Sequence, residues 1–322
     1  MNPLVHMYDL VIIGASAASF PAAIYAARRG LNFVLVTKEI GGELALSGEV
    51  NNWPGIQTVS GFELARQMHE HALSYGVKIE EGLEVKGIKQ KNKTHIVMTE
   101  DSAGRKKEFT TKTVLIASGI HPRELNIPGE QTFRGKGITY CTVCDGPLFK
   151  GKITATIGAG NSALESALMM ADIAKKVYVI TKYQDRPETQ GGFPKGEAIL
   201  VKKLKAAKNV EIIYNANTKE IKGENMVTGL DLVDQKTGEI KALPVQGVMV
   251  HIGMIPNSDF VDCARKNQQK EIEVNLKCET SCPGVFAAGD VTNVPYKQIV
   301  IAAGQGVTAA LSAIEYTNKF TD

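Results

Sequence analysis

Apolar residues along the chain fall into short unbroken runs rather than alternation, and Gly, Ala and helix-forming stretches separate the runs. Continuous β-branched runs of this length are the pattern of strands buried on both faces, as in a parallel sheet covered by helices. Tyr8-Asp9-Leu10-Val11-Ile12-Ile13 is the first run, and it enters Gly14-Ala15-Ser16-Ala17-Ala18-Ser19. An Ala-rich helical stretch follows to Arg29, where Gly30 supplies a stop, and Leu31 to Val36 predicts the next strand. The order recurs at Ile153 to Ile157, which enters Gly158-Ala159-Gly160-Asn161-Ser162-Ala163. A helix from Leu164 to Ala171 and a strand from Val177 to Ile180 follow. Two such strand–turn–helix–strand units predict an α/β protein with two Rossmann-like, three-layer (β/β/α) nucleotide-binding domains.

The first unit lacks its closing piece before the second begins. A helix (Phe62 to Tyr75), mixed strands (Lys78 to Thr111) and the strand Val114 to Gly119 lie between them. After the second unit come Val248 to Gly253 and Gly284 to Asp290, which read as strands entering glycine turns and suit closure of the first. The expectation is therefore an insertion: one discontinuous domain at 1–120 plus 249–322, and an inserted domain at 121–248. The crossings, near Ser118–Pro122 and His251–Pro256, make a natural hinge pair.

A length of 322 residues suits two domains, and 43% apolar with 22% charged residues suits two real cores. The formal charge of +3 is spread out, and Arg105-Lys106-Lys107 is followed at once by Glu108, the pattern of a solvated turn. A nucleic-acid partner is not expected. Leu10 to Ala27 is uncharged and near a membrane span in length. It is mostly Gly, Ala and Ser after its first four residues, contains Pro21 and follows no Lys or Arg, so no membrane or secretory segment is expected. The expected compartment is the cytoplasm, where five cysteines do not form a structural disulfide framework.

In that setting Cys141-Thr142-Val143-Cys144-Asp145 points to chemistry. Two intervening residues let both sulfurs meet within one helical turn and cycle between dithiol and disulfide, with the first thiol ionising readily at a helix start. Asp145 adds a carboxyl able to pass a proton to a departing thiolate. The alternative is half of a zinc site, for which Cys278-x-x-x-Cys282 is the candidate second half; the spacing favours redox and no metal. Cys263 reads as a small apolar core residue. His69 and His71 face different directions on a helix, and the six histidines form no set.

Glycine turns of this kind bind phosphate by aiming helix N–H groups at it, or are ordinary strand-to-helix turns. The second, Gly158-x-Gly160-x-x-Ala163, is complete, while Ser16 and Ser19 replace two glycines of the first. Gly289-Asp290 places a carboxylate at a strand's carboxyl end, suited to ribityl or ribose hydroxyls or to capping the next helix.

Together these features resemble the low-molecular-weight thioredoxin reductases of bacterial and archaeal type. The resemblance runs through Gly41-Gly42-Glu43-Leu44, Asn52-Trp53-Pro54-Gly55, Cys141-x-x-Cys144-Asp145-Gly146 and Gly160-Asn161-Ser162-Ala163-x-Glu165. It continues through Ile252-Gly253-x-x-Pro256-Asn257 and Gly284 to Asp290, with Gln298 downstream. It implies FAD in the discontinuous domain, near Gly14, Ser16, Ala17, Thr37, Gly41, Gly42, Glu43, Asn52, Gly289, Asp290, Gln298 and Ile299. It implies NAD(P)H in the inserted domain, near Gly158, Gly160, Asn161, Ser162 and Lys182. Cys144 would be the sulfur nearer the flavin, Cys141 would attack the disulfide of thioredoxin or a similar protein, and Asp145 would be the acid–base. The inserted domain would rotate, and the enzyme would be a homodimer. Two departures stand out: Glu43 replaces a usual Gln, and Thr181-Lys182-Tyr183-Gln184-Asp185-Arg186 replaces the Arg cluster that clasps the 2′-phosphate of NADPH. Gln190-Gly191-Gly192 also departs from the pattern, and NADPH, NADH or ferredoxin remain open as donor.

Overall fold

Strand β1 (Met7–Ile13) shows why the apolar runs are unbroken. Leu10 and Ile12 point into one core while Val11 and Ile13 point into another, so both faces of the strand are covered. The computed structural model describes residues 7–47, 49–185, 193 and 195–320. The chain forms two units, Met1–His121 with Ile255–Asp322 and Pro122–Met254.

In the first unit β1 leads into helix α1 (Ser19–Arg28) and strand β2 (Phe33–Val36), which pairs parallel to β1. A short helix α2 (Gly42–Leu46) follows, and Gly61–Ser74 forms the next helix, capped by Ser60. The eleven-residue strand β3 (Lys106–Ile116) lies parallel to β1 on its other side and forks. Its first half pairs antiparallel with Thr94–Asp101, and its last three residues pair parallel with Val285–Ala287.

In the second unit helix α3 (Thr142–Asp145) precedes strand β4 (Ile153–Gly158), helix α4 (Asn161–Ile173) and strand β5 (Lys176–Ile180). Strand β6 (Gly247–His251) pairs parallel with β4, Gly158 opposite His251. Ile138–Thr139 and Val210–Ile213 complete a five-stranded sheet, and Ala216–Gly223, Val227–Asp234 and Ile240–Pro244 form a separate antiparallel one.

Placement of β6 corrects one sequence expectation. Val248 to Gly253 does not close the first unit; it is the strand beside β4 in the second, and only β7 (Val285–Ala287) returns to the first sheet. The chain accordingly recrosses after Met254, six residues later than the expected start at 249. Valine-rich runs carry no label for the sheet they join, since either core rewards burying them.

Helix α5 (Ile299–Asn318) is, among the described residues, one helix long and apolar enough to cross a membrane. It is also packed: Ala302, Ala309, Ala310 and Ala313 lie in the core beneath α1. A Cβ on Gly306 would sit 2.0 Å from the Ala18 carbonyl oxygen, so the two helices touch backbone to backbone. The Leu10 to Ala27 stretch is divided between β1 and α1.

Candidate functional site

A cavity of about 830 Å³ opens at the carboxyl ends of β1, β2, β3 and β7, the place where a doubly wound sheet takes its ligand. Gly14, Ser16, Ala17, Thr37, Gly42, Glu43, Asn52, Gly289, Asp290, Gln298 and Ile299 line it. Gly41 does not; its N–H donates to the Ala15 carbonyl at 2.7 Å and it backs the wall. The two serines that break the first glycine pattern are structural. Ser16 Oγ donates to the Gly41 carbonyl at 2.6 Å, and Ser19 Oγ accepts from the Ser16 N–H at 3.2 Å within the core. No side chain caps α1, but the Phe20 N–H donates to the Ser16 carbonyl at 3.1 Å and Pro21 has no N–H, so the helix start offers an anion chiefly its positive end.

Asp290 sits in a short 3₁₀ turn at the end of β7. Helix α5 is capped at Gln298, so Asp290 is not that helix's cap. Burial pushes its carboxyl above the usual range, and Lys297 opposes the rise. No donor among the described residues reaches it, which leaves it as an acceptor facing the cavity. Burial also raises Glu43; the His121 imidazole opposes the rise, while the carboxylates of Glu39 and Asp290 add to it. Asn52 Nδ2 donates to Gln298 Oε1 at 3.0 Å. The sequence reading missed His121 and Lys297 as lining residues, and a local pattern has no signal for either. Asn257 explains its motif: its amide donates to the Ser118 carbonyl at 2.8 Å, and Ser118 Oγ donates back to the Asn257 carbonyl at 2.6 Å.

The second unit carries the disulfide Cys141–Cys144 at α3. Cys141 is half-buried, Cys144 is exposed, and the Cys144 N–H donates to Cys141 Sγ at 3.3 Å. Thr139 Oγ1 donates to Asp145 Oδ2 at 2.5 Å and accepts from the Cys141 N–H at 3.0 Å, which ties the carboxylate to the disulfide turn. Beneath the turn, Thr142 Oγ1 lies 2.6 Å from Ser166 Oγ and 2.8 Å from His251 Nε2. The sequence reading found no use for His251.

Burial lowers His251 to about 4, so the imidazole is neutral at pH 7. An unfolded chain would protonate it near its ordinary 6.5, so folding is penalised increasingly as pH falls from 6.5 to 4. The expected loss attributable to this side chain is about 3 kcal/mol at pH 4 and none above neutrality. Urea midpoints at pH 7.5 and 4.5 check it. His251→Gln should narrow the difference between them.

The second glycine turn ends β4, with Gly158 facing the His251 carbonyl and Gly160 opening α4. Asn161 Oδ1 accepts from the Glu197 N–H at 2.8 Å, and Ser162 is exposed. Lys182 stands just beyond β5; its Nζ is 5.5 Å from the centre of the Tyr183 ring, and Lys195 Nζ is 4.0 Å from it. Arg186 and Gln190-Gly191-Gly192 lie outside the described residues.

Cys278 and Cys282 do not act as a pair. Cys278 packs in the core under α1 and Cys282 in the core on the other face of the sheet. Cys282 instead meets the thiol of Cys263, which packs half-buried against the same apolar core as expected. Burial pushes Cys278 up to about 11 and, with the Cys263 contact, Cys282 up to about 12.

A cradle for a dinucleotide in one unit and a redox disulfide beside a second glycine turn in the other define a known combination. The model of the pyridine nucleotide-disulphide oxidoreductases matches residues 8–306. The chain belongs to that family. This oxidoreductase is 38% identical over 310 residues to a protein named NADH dehydrogenase from Bacillus subtilis (strain 168), covering 96% of this chain and 58% of that one. It is 38% identical over 314 residues to a component of the alkyl hydroperoxide reductase of Escherichia coli (strain K12), with the same two shares. It therefore spans 58% of the length of these curated relatives. The thioredoxin reductase structure from T. acidophilum superposes on the oxidoreductase with a TM-score of 0.79 at 37% identity, covering 98% of this chain and 99% of that one.

Proposed function

We propose that the chain is an FAD-dependent disulfide reductase that carries electrons from a reduced nicotinamide dinucleotide to the disulfide of thioredoxin or a small thioredoxin-like protein. The observation that carries this reading is the Cys141–Cys144 disulfide itself, with Asp145 tied to its turn by Thr139. The cavity of the first unit fits FAD. The positive start of α1 suits a pyrophosphate, and the Asp290 carboxylate suits a ribityl or ribose hydroxyl. Bound there, the flavin supplies two-electron reduction of the disulfide. Cys144 would be the sulfur on the flavin side of the exchange, and Cys141 the thiolate that attacks the partner's disulfide. Asp145 supplies the proton to the departing thiolate. Relatives named for thioredoxin reduction and for NADH support the substrate and donor classes.

Gly158, Gly160, Asn161 and Ser162 would form the nucleotide turn in this reading, with Lys182 the candidate for a 2′-phosphate contact. A lone lysine grips a 2′-phosphate less well than an arginine fork, so preference for NADPH over NADH is expected to be weak. The same feature favours a second reading, in which a ferredoxin-like protein is the donor. Alternating access of the disulfide would use the crossings near His121 and Met254 as hinges. The resemblance also implies a cytoplasmic homodimer, which sedimentation checks.

Anaerobic titration of the purified yellow protein with NADH and NADPH in turn tests the assignment. Bleaching of the flavin by either, followed by appearance of two thiols, is the expected result. Bleaching by neither, with thiols appearing after photoreduction, selects the ferredoxin-like donor. Flavin that reduces without any gain of thiols overturns the disulfide assignment, as does a protein that takes up no FAD.

A further inference from the structure

The Thr142–Ser166–His251 cluster takes no part in the chemistry above, yet it touches the disulfide turn directly. Helix α3 is a single turn, too short to hold its own shape, since one turn fixes several dihedrals for very few hydrogen bonds. In the disulfide state the covalent bond supplies the missing restraint. In the dithiol state the turn depends on what grips it from below.

Thr142 is the one residue of α3 that is buried, at 3% exposure. Its hydroxyl is shared between Ser166, on the second turn of α4, and His251, at the end of β6. The carbonyl of His251 also faces Gly158, with only 2.1 Å between that oxygen and the place a Cβ would occupy. The backbone of His251 is therefore held against β4, and its imidazole is neutral at pH 7. A neutral ring gives a directional hydrogen bond without placing a competing charge beside the sulfurs.

We propose that His251 is a positioning residue which, through Thr142, holds α3 in place after reduction and so stabilises the Cys141 thiolate against the disulfide. The inference rests on the redox role assigned to the pair. Held in place, the Cys144 N–H stays aimed at Cys141 Sγ, as it is at 3.3 Å in the disulfide form. Released, the turn frays, that donor is lost, and the thiolate becomes less favourable. A couple whose reduced form is destabilised has a more negative potential. No atoms are exchanged by the cluster; it biases the reversible addition of two electrons and two protons to the Cys141–Cys144 bond.

The test is redox titration of the flavoprotein in glutathione buffers, with iodoacetamide trapping and peptide mass analysis locating the modified sulfur. Thr142→Val removes the shared hydroxyl while keeping the side chain's shape, and His251→Ala removes the ring. Each should shift the dithiol–disulfide equilibrium about tenfold toward the disulfide, about 30 mV. Each should also slow alkylation of Cys141 at pH 6 about tenfold. His251→Gln, whose amide reaches a similar point, should restore both values to within about threefold. Unchanged potential and alkylation in Thr142→Val overturn the proposal even if His251→Ala does not fold. A wild-type pair that fails to titrate reversibly would instead overturn the redox reading on which it rests.

Discussion

On the proposed function, Cys144→Ser is expected to abolish turnover of thioredoxin disulfide, by at least about 10³-fold, while leaving flavin reduction by the donor within about twofold. Removal of a group that forms a covalent intermediate costs more than removal of any group that merely assists it. The remaining Cys141 can attack a partner disulfide once, but no second sulfur is present in the turn to resolve the mixed disulfide. The reaction should stall with the partner attached through Cys141. Stopped-flow absorbance follows the flavin, and non-reducing electrophoresis detects the trapped complex. Cys141→Ser should fail differently, with no complex trapped, because the attacking sulfur is gone. A reductase whose Cys144→Ser variant still turns over would have its working sulfurs elsewhere, and only Cys263, Cys278 and Cys282 remain.

Gly14→Ala is expected to destabilise the first unit by at least about 4 kcal/mol, a fall in melting temperature of roughly 10 °C, and to yield protein without flavin. Gly14 has φ of +105°, which a residue with a Cβ adopts only under strain, and the added carbon would lie 2.3 Å from the Ala117 carbonyl oxygen. That oxygen belongs to backbone held by β3 and cannot move aside cheaply. Gly160→Ala is the informative contrast, because nothing lies within 4 Å of its added carbon and its φ is −90°. It should fold normally and weaken only the donor nucleotide, whose phosphate would meet the methyl group. Differential scanning fluorimetry and flavin content per chain separate the two outcomes.

The parts of this design legible in sequence were those whose chemistry is local. Strand, glycine turn and helix follow one another within a few residues, so both Rossmann-like units could be found from runs and punctuation alone. Cys141, Cys144 and Asp145 are neighbours in the chain, so their grouping needed no fold. What stayed hidden depends on distant partners. β6 could join either sheet by composition, and only pairing with β4 decides it. Thr142, Ser166 and His251 come from three elements spread over more than a hundred positions, and none of them alone marks a site. Ser16 and Ser19 looked like lost phosphate-binding glycines, whereas their hydroxyls hold the turn to Gly41 and to itself.

The forked strand β3 sets an order of events during synthesis. Its last three residues pair with β1 on one side and find their other neighbour in Val285–Ala287, and α1 packs closely on Ile299–Asn318. Everything from Pro122 to Met254 emerges from the ribosome between these halves. The interrupting unit is contiguous and can finish folding first, while the unit that begins the chain waits with one side of β3 and the inner face of α1 uncovered. Chaperone binding to nascent chains should therefore concentrate on the amino-terminal third and end only when α5 is released.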